Sequence, residues 1–145
     1  MFFDEINDGV INTVDHLKMI IALYFRFSLI DSSFQIHLNG IQVTIDALDN
    51  LATSTQYVWQ INDITDPYLS SKISATSPNI KNYKRIRSNI AISGFIATTK
   101  VPSDLRIRGT NEKVSLDLFV NGRIREKDVL KHIQTARIVE SYTYG

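Results

Sequence analysis

The stretch LFVNGRIREKDVLKHI, residues 118–133, combines an alternating apolar segment, an Asn-Gly pair and a cluster of cations. Apolar residues occupy every second position of residues 114–120, and this alternation predicts a strand because strand side chains point to opposite faces in turn. Asn121 and Gly122 readily adopt positive φ angles, so they predict that the chain turns where the strand ends.

A short helix is predicted after this turn, over residues 126–135. Glu126 and Asp128 lie near its start, where carboxylates favour the positive end of the helix dipole. The residues expected to face the sheet from this helix are Val129, Leu130 and Ile133. The chain is therefore expected to pass from strand to helix at the Asn-Gly pair.

The cations around this junction are the candidate nucleic-acid-binding residues: Arg123, Arg125, Lys127 and Lys131. Lys127 and Lys131 are four residues apart, so they would share one face of the predicted helix. Arg123 and Arg125 precede it at the strand edge, where long side chains can reach outward while their stems cover apolar surface. Such a group suits a phosphate backbone, although an ordinary solvated face would have the same composition.

Charge is divided unevenly along the chain. Of 145 residues with a net charge of +1, residues 1–71 hold two Lys and Arg against nine acids, and residues 72–145 hold fourteen against six. Clustered Lys and Arg release counterions from a polyanion, so the second half is a candidate footprint for nucleic acid. The alternative is that the two halves neutralise each other across an internal interface.

Composition excludes several classes of function. Cysteine is absent, which excludes disulfides, thiolate metal sites and a cysteine nucleophile. The three histidines are far apart, and Asp63 and Asp66 before Pro67 suit a turn or a helix cap, so no catalytic residue and no metal site are expected. No apolar run approaches the length of about eighteen residues that a membrane span needs, and a cytoplasmic protein without membrane contact is expected.

The other segments predict a mixed α and β order. They are a helix over residues 8–25, a hairpin over residues 34–45 around Asn39-Gly40, a strand over residues 57–61 and a strand within residues 86–98. The polar segment near residues 66–80 marks the expected boundary, where the charge also changes sign. With 43% hydrophobic residues, the chain can form a sizeable core, and the expected class is α+β.

Two short motifs resemble a known family. ISG at residues 92–94 and FVNGR at residues 119–123, separated by a loop of suitable length, resemble the second domain of GHKL ATPases, closest to the MutL family of DNA mismatch repair. The close match covers about residues 90–135. More loosely, FRFSLIDSSFQIHLNGIQV at residues 25–43 is similar to the segment that follows the nucleotide-binding core in such ATPases.

The resemblance implies a transducer domain with the ribosomal protein S-five domain-2-like fold, a mixed sheet covered by helices. Residues 71–145 would form this domain, truncated at its C-terminus, and residues 1–70 would supply a helix and hairpin that end the ATPase domain. In the family, the transducer relays the nucleotide state of the preceding domain to dimerisation and to partner contacts.

The family's nucleotide site requires a general-base Glu with a Mg-binding Asn on one helix, followed by D-x-G-x-G, and the sequence contains neither. The resemblance therefore implies a fragment that binds no cofactor itself, cut from a parent ATPase that binds ATP and Mg. The implied partners are DNA, the missing ATPase domain and a second copy of the parent. One alternative is a chaperone-like or signalling ATPase segment that contacts only proteins. A second alternative, which the acidic first half favours less, is a free-standing RNA-binding module of the same fold.

Overall fold

A computed structural model describes residues 2–3, 14–29, 31, 33–107, 113–133 and 142–145. The helices of this part are α1 (Val14–Phe25), α2 (Asp49–Ser54) and α3 (Pro67–Lys72). Its strands are β1 (Phe2–Phe3), β2 (His37–Leu38), β3 (Ile41–Gln42), β4 (Thr55–Ile61), β5 (Asn82–Ile86), β6 (Gly94–Thr99), β7 (Leu118–Val120), β8 (Arg123–Glu126) and β9 (Thr143–Tyr144). Short 3-10 turns occupy Ile45–Leu48, Pro102–Leu105 and Val129–His132. The fold is thus mixed α+β.

The main sheet has four strands in the order β5-β4-β6-β9. Its centre is β4, with the sequence TQYVWQI, whose β-branched and aromatic residues favour a strand. β4 pairs in parallel with β5 and antiparallel with β6, which in turn pairs antiparallel with β9. A smaller sheet has the order β1-β2-β3, and β7 and β8 form a separate two-stranded hairpin. The main sheet is therefore mixed.

The core lies on one face of the main sheet. The sheet residues that are buried in it are Val58, Phe95, Ala97 and Tyr144. The same core contains residues of α1 and α3, among others Ile21, Ala22, Leu23, Tyr68 and Leu69, and the Tyr68 ring contacts the rings of Phe95 and Tyr144. These residues come from both sides of the expected boundary between residues 70 and 71, and the division into two domains stays a prediction.

A buried ion pair sits in this core. Arg26 follows α1 and is 6% exposed, and its Nε lies 3.0 Å from Oδ2 of Asp66. Asp66 is the N-cap of α3: its Oδ1 accepts hydrogen bonds from the backbone N–H groups of Tyr68 and Leu69. Capping is the role that the sequence favours for this acid, and it is confirmed. The same carboxylate therefore starts α3 and neutralises Arg26.

A chain of hydroxyl groups crosses the core beside the ion pair. Thr55 donates its single proton to the carbonyl of Leu51, so the Tyr144 hydroxyl, 2.6 Å away, donates to Thr55. Tyr68 in turn donates to Tyr144 over 2.8 Å. Burial is the main cause that raises the pKa of Tyr144 to about 12. These hydrogen-bonded hydroxyl groups therefore link α3, β4 and β9.

The predicted helix over residues 126–135 is wrong in the described part of that range. Glu126 ends β8, and only a 3-10 turn follows, Val129–His132, none of whose residues is fully buried. Ile133 is 52% exposed instead of facing the sheet. The helix fails to form because Asp128 has a left-handed backbone (φ +54°), which interrupts any continuous helix here. Residues 134 and 135 lie outside the described residues.

Other predicted elements are confirmed with changed bounds. The Asn39-Gly40 hairpin forms as β2 and β3, and the strand predicted over residues 57–61 forms as β4. The strand predicted over residues 114–120 begins only at Leu118, and the strand predicted within residues 86–98 forms as β6, which begins at Gly94. The start of the first helix, residues 8–13, lies outside the described residues. The sequence did not predict α2, α3 or β5.

Replacing Gly122 with alanine should lower the free energy of unfolding by about 1 kcal/mol, because alanine is strained at positive φ. Gly122 has φ +74°, although an added Cβ would meet only ordinary contact with Phe27 at 3.7 Å. Urea unfolding followed by circular dichroism measures the change. The control is Gly94→Ala, where φ is not positive and the space is open, and it should cause no comparable loss. Equal stability of the two variants would contradict the turn geometry.

Candidate nucleic-acid interface

The Asn-Gly pair closes a hairpin between β7 and β8. Asn121 (φ +51°) and Gly122 (φ +74°) are both left-handed, as a two-residue type I′ turn requires. The strands pair Val120 with Arg123 and Phe119 with Ile124. This turn type matches the twist of the paired strands, so the chain returns as a strand after the pair, and Arg123 and Arg125 lie on β8.

One aromatic residue fixes the hairpin to the core. The Phe119 ring meets the Phe27 ring edge-on, with 5.0 Å between centroids. The Arg26 guanidinium lies 4.6 Å from the Phe119 centroid and also over Phe27 and Phe95. Cation–π contacts of this kind are strongest where water is excluded, as it is at Arg26. The hairpin is therefore anchored through its inner face to the buried ion pair.

Arg123 and Arg125 are exposed on β8, as the sequence predicts. Neither forms an ion pair with another residue in the described ranges. Arg125 falls at an irregularity in the register, since Leu118 pairs with Glu126 while Phe119 pairs with Ile124. Beside them Leu118 and Val120 are about half exposed. The outer face of the hairpin thus presents two guanidinium groups on a rigid support.

Lys127 and Lys131 have different surroundings. The Lys127 Nζ lies 4.8 Å from the centroid of the Tyr24 ring, on α1. The Lys131 Nζ lies 2.7 Å from Oε1 of Glu126, which His132 also approaches at 3.2 Å. The hydrogen bond from Lys131 is the main cause that lowers the pKa of Glu126 below its usual value, with a smaller effect of His132. These two lysines do not share a helix face, because residues 129–132 form a 3-10 turn.

A second basic surface lies on the main sheet, and sequence reasoning missed it. Lys81, Lys84 and Arg87 lie on or next to β5, the edge strand beside β4. On β4, the neighbouring aromatic residues are Tyr57 and Trp59. The segment NYKRI lacks a clear apolar alternation, so no strand was predicted there. Aromatic residues two positions apart, close in the sheet to Lys and Arg, are the signal that could have identified this surface.

Other site chemistry is limited in the described residues. Among them no group of three or more His, Asp or Glu side chains could hold a metal ion. A cavity of about 10 Å³ next to Arg26, lined also by Ser115 and Asp117, has room for about one water molecule. A wider open cleft of about 580 Å³ lies between α3 and β5. The helices in the described ranges are all too short or too polar to cross a membrane.

Comparison of the chain with protein-family models, curated proteins and solved structures finds no match. The relation to GHKL ATPases therefore stays a prediction that rests on the motifs at residues 92–94 and 119–123.

Proposed function

We propose that this chain is the transducer region of a GHKL-type, MutL-like ATPase, and that its β7–β8 hairpin contacts the phosphate backbone of DNA. The observation that carries the proposal is the exposure of Arg123 and Arg125 on the hairpin that the FVNGR motif forms. The mixed sheet with helices packed on one face supports a transducer domain of the S-five domain-2-like fold. In the parent protein that this proposal implies, a separate ATPase domain would bind ATP and Mg.

A continuous set of contacts supports a relay. Arg26 follows α1, in the segment that would join the ATPase domain, and it touches Asp66 of the α3 cap and Phe119 of the hairpin. A shift of α1 therefore displaces a side chain that holds the hairpin. Coupling between distant sites travels through packed elements of this kind when they have two arrangements. In the parent protein, closure around ATP would move α1 and with it the DNA-contacting face.

The contact with DNA should be weak, sequence-tolerant and sensitive to salt. Two guanidinium groups neutralise few phosphates, and the binding free energy comes mainly from counterion release. The slope of log affinity against log salt falls by about 0.9 for each phosphate contact that is lost. The proposal assigns Arg123 and Arg125 to the phosphate backbone, which carries no sequence information, so positioning on the backbone is the expected role.

The double variant Arg123→Glu/Arg125→Glu should abolish binding to a fluorescent DNA duplex in low salt, because it replaces both exposed cations with acids. Fluorescence anisotropy measures binding, and circular dichroism should be unchanged since both side chains are exposed. The matched control is Lys81→Glu/Lys84→Glu, which makes the same change of charge on the main sheet and should retain duplex binding.

Two results would contradict the DNA contact: no retention of duplex DNA by the unchanged chain in low salt, or unchanged retention by the Arg123→Glu/Arg125→Glu variant. The first result would favour a chaperone-like or signalling ATPase segment, whose hairpin meets only proteins.

A further inference from the structure

One face of the main sheet is exposed to solvent along β4 and β5, although on the same face Thr143 of β9, which pairs with Thr98, is buried. Side chains alternate between faces along a strand, so the neighbours of buried Val58 on β4 point away from the core. The pairing registers place residues of β5 and β6 beside them. We name this surface the open sheet face, and its residues are Tyr57, Trp59, Ile61, Asn82, Lys84, Ile86, Ile96 and Thr98.

Two aromatic rings stand at the centre of the open sheet face. Tyr57 and Trp59 are two positions apart on β4, so they project from the same side of the sheet. Their ring centroids are 6.2 Å apart and the ring planes differ by only 16°. Tyr57 is 37% exposed, and Trp59 is partly exposed. Two nearly parallel rings that solvent can reach offer flat surfaces on which planar groups can stack.

The cations of this surface lie along the β5 edge. Lys84 pairs with Trp59 in the parallel register, so the two side chains are neighbours on one face. Lys81 directly precedes β5 and borders the open sheet face, with its Nζ 5.9 Å from the centroid of the Tyr57 ring. The strands β4, β5 and β6 contain no acidic residue. The nearby pair of Arg87 and Asp63 is exposed and lies beyond the strand ends. The open sheet face is therefore positively charged and aromatic together.

We propose that the open sheet face binds single-stranded nucleic acid, with bases stacked on Tyr57 and Trp59 and phosphates held by Lys81 and Lys84. A positive surface with aromatic stacking positions is the combination that proteins use for single strands, whose unpaired bases expose their faces. In a duplex those faces are already stacked, so an aromatic platform gains nothing from it. An acidic peptide would satisfy the lysines but would leave the rings without a planar partner.

This site is distinct from the hairpin proposed to contact duplex DNA. The open sheet face and the β7–β8 hairpin have no residue in common. The variants Lys81→Glu/Lys84→Glu and Arg123→Glu/Arg125→Glu therefore test the two sites separately. Because every base has a π face, the expected binding is tolerant of sequence and accepts DNA and RNA alike.

Trp59 is the only tryptophan of the chain, so its fluorescence reports directly on the site. Oligo(dT) and oligo(rU) of about twelve nucleotides should each quench this fluorescence in a saturable manner, because a stacked base perturbs the indole ring. An abasic oligonucleotide with the same number of phosphates should bind at least about tenfold more weakly, since it keeps the charge and lacks the stacking surface.

Variants of the platform are measured by the anisotropy of a labelled oligo(dT), which does not depend on tryptophan. Trp59→Leu should weaken binding about tenfold, whereas Trp59→Phe, which keeps an aromatic ring, should restore most of it. Lys81→Glu/Lys84→Glu should abolish binding. The control Arg123→Glu/Arg125→Glu should leave single-strand binding almost unchanged, whatever it does to duplex binding.

Several outcomes would overturn the platform. They are binding of oligo(dT) without any change of Trp59 fluorescence, equal affinity for the abasic oligonucleotide, and loss of binding in the hairpin variant but not in the lysine variant. Equal quenching by poly-glutamate would identify the surface as a docking site for acidic protein. Absence of any oligonucleotide binding would also overturn the proposal. If duplex binding fails while oligo(dT) still quenches Trp59, only the hairpin proposal is lost.

Discussion

Replacing Asp66 with alanine is expected to lower the free energy of unfolding by about 3–5 kcal/mol. The change leaves the Arg26 guanidinium in the interior, 3.0 Å from where its counter-charge was, with its side chain 7% exposed. It also removes the oxygen that accepts the backbone N–H groups of Tyr68 and Leu69 at the start of α3. Removal of one partner from a buried pair costs far more than the pair contributes, because the remaining charge loses its compensation.

Control variants separate the stability lost with the Asp66 charge from the stability lost with the α3 cap. Asp66→Asn keeps an oxygen for the α3 cap and removes only the counter-charge, so its loss should be smaller than that of Asp66→Ala. The double variant Arg26→Met/Asp66→Asn removes both charges and should recover much of the loss. Asp63→Ala breaks an ion pair with Arg87 in which both side chains are more than three-quarters exposed, and it should cost less than about 1 kcal/mol.

Urea unfolding followed by circular dichroism gives the four values. An Asp66→Ala variant no less stable than Asp63→Ala would contradict the buried ion pair. If Asp66→Ala does not fold, the comparison of Asp66→Asn with Arg26→Met/Asp66→Asn still decides the question, because the pair predicts that the double variant is the more stable.

Replacing Tyr144 with alanine should lower the free energy of unfolding by about 3–5 kcal/mol, the usual range for a buried aromatic ring. Its side chain is almost fully buried, and its ring meets those of Tyr68 and Phe95 edge-on, with centroids 6.2 and 5.9 Å away. The space that the ring leaves cannot close fully, because β9 is held by its pairing with β6. The hydroxyl groups of Thr55 and Tyr68 also lose their shared partner.

Tyr144→Phe removes only the hydroxyl group and should cost about 1–2 kcal/mol, since the buried Tyr68 hydroxyl then lacks its acceptor. The matched control is Tyr142→Ala, a short distance along the chain, where the side chain is 39% exposed and the backbone oxygen, which alanine keeps, accepts a hydrogen bond from Thr99. Thermal and urea unfolding measure all three variants. Equal losses for Tyr144→Ala and Tyr142→Ala would contradict the packing described for β9.

The sequence predicted best where neighbouring residues decide the backbone. Asn39-Gly40 forms the expected turn because both residues tolerate positive φ, and Asp66 before Pro67 forms the expected cap because its carboxylate reaches the first N–H groups of α3. The strand β4 forms because its residues favour extended backbone whichever strands pair with it. The same local logic fits a hairpin at Asn121-Gly122, although the apolar residues that follow it have the spacing of a helix face.

The candidate site was predicted only in part, for a physical reason. Exposure of Arg123 and Arg125 follows from their position after a turn, and the structure agrees. The contacts of Lys127 with Tyr24 and of Lys131 with Glu126 depend on whether a strand or a helix follows the turn. The type I′ turn at Asn121-Gly122 and the left-handed backbone of Asp128 are compatible with the strand and not with a continuous helix, and the contact of Phe119 with Phe27 that holds β7 is contained in no local pattern.

By itself, the sequence determined the α+β class, the turns, the cap at Asp66 and the concentration of positive charge in the second half. Only the tertiary structure decided that Arg26 and Asp66 meet, that β5 joins β4, and that Tyr57 and Trp59 lie on the uncovered face of the sheet. Alternation along a strand specifies two faces but not which of them is covered. That choice follows from the packing of α3, through Tyr68, against Phe95 and Tyr144, which are far apart along the chain.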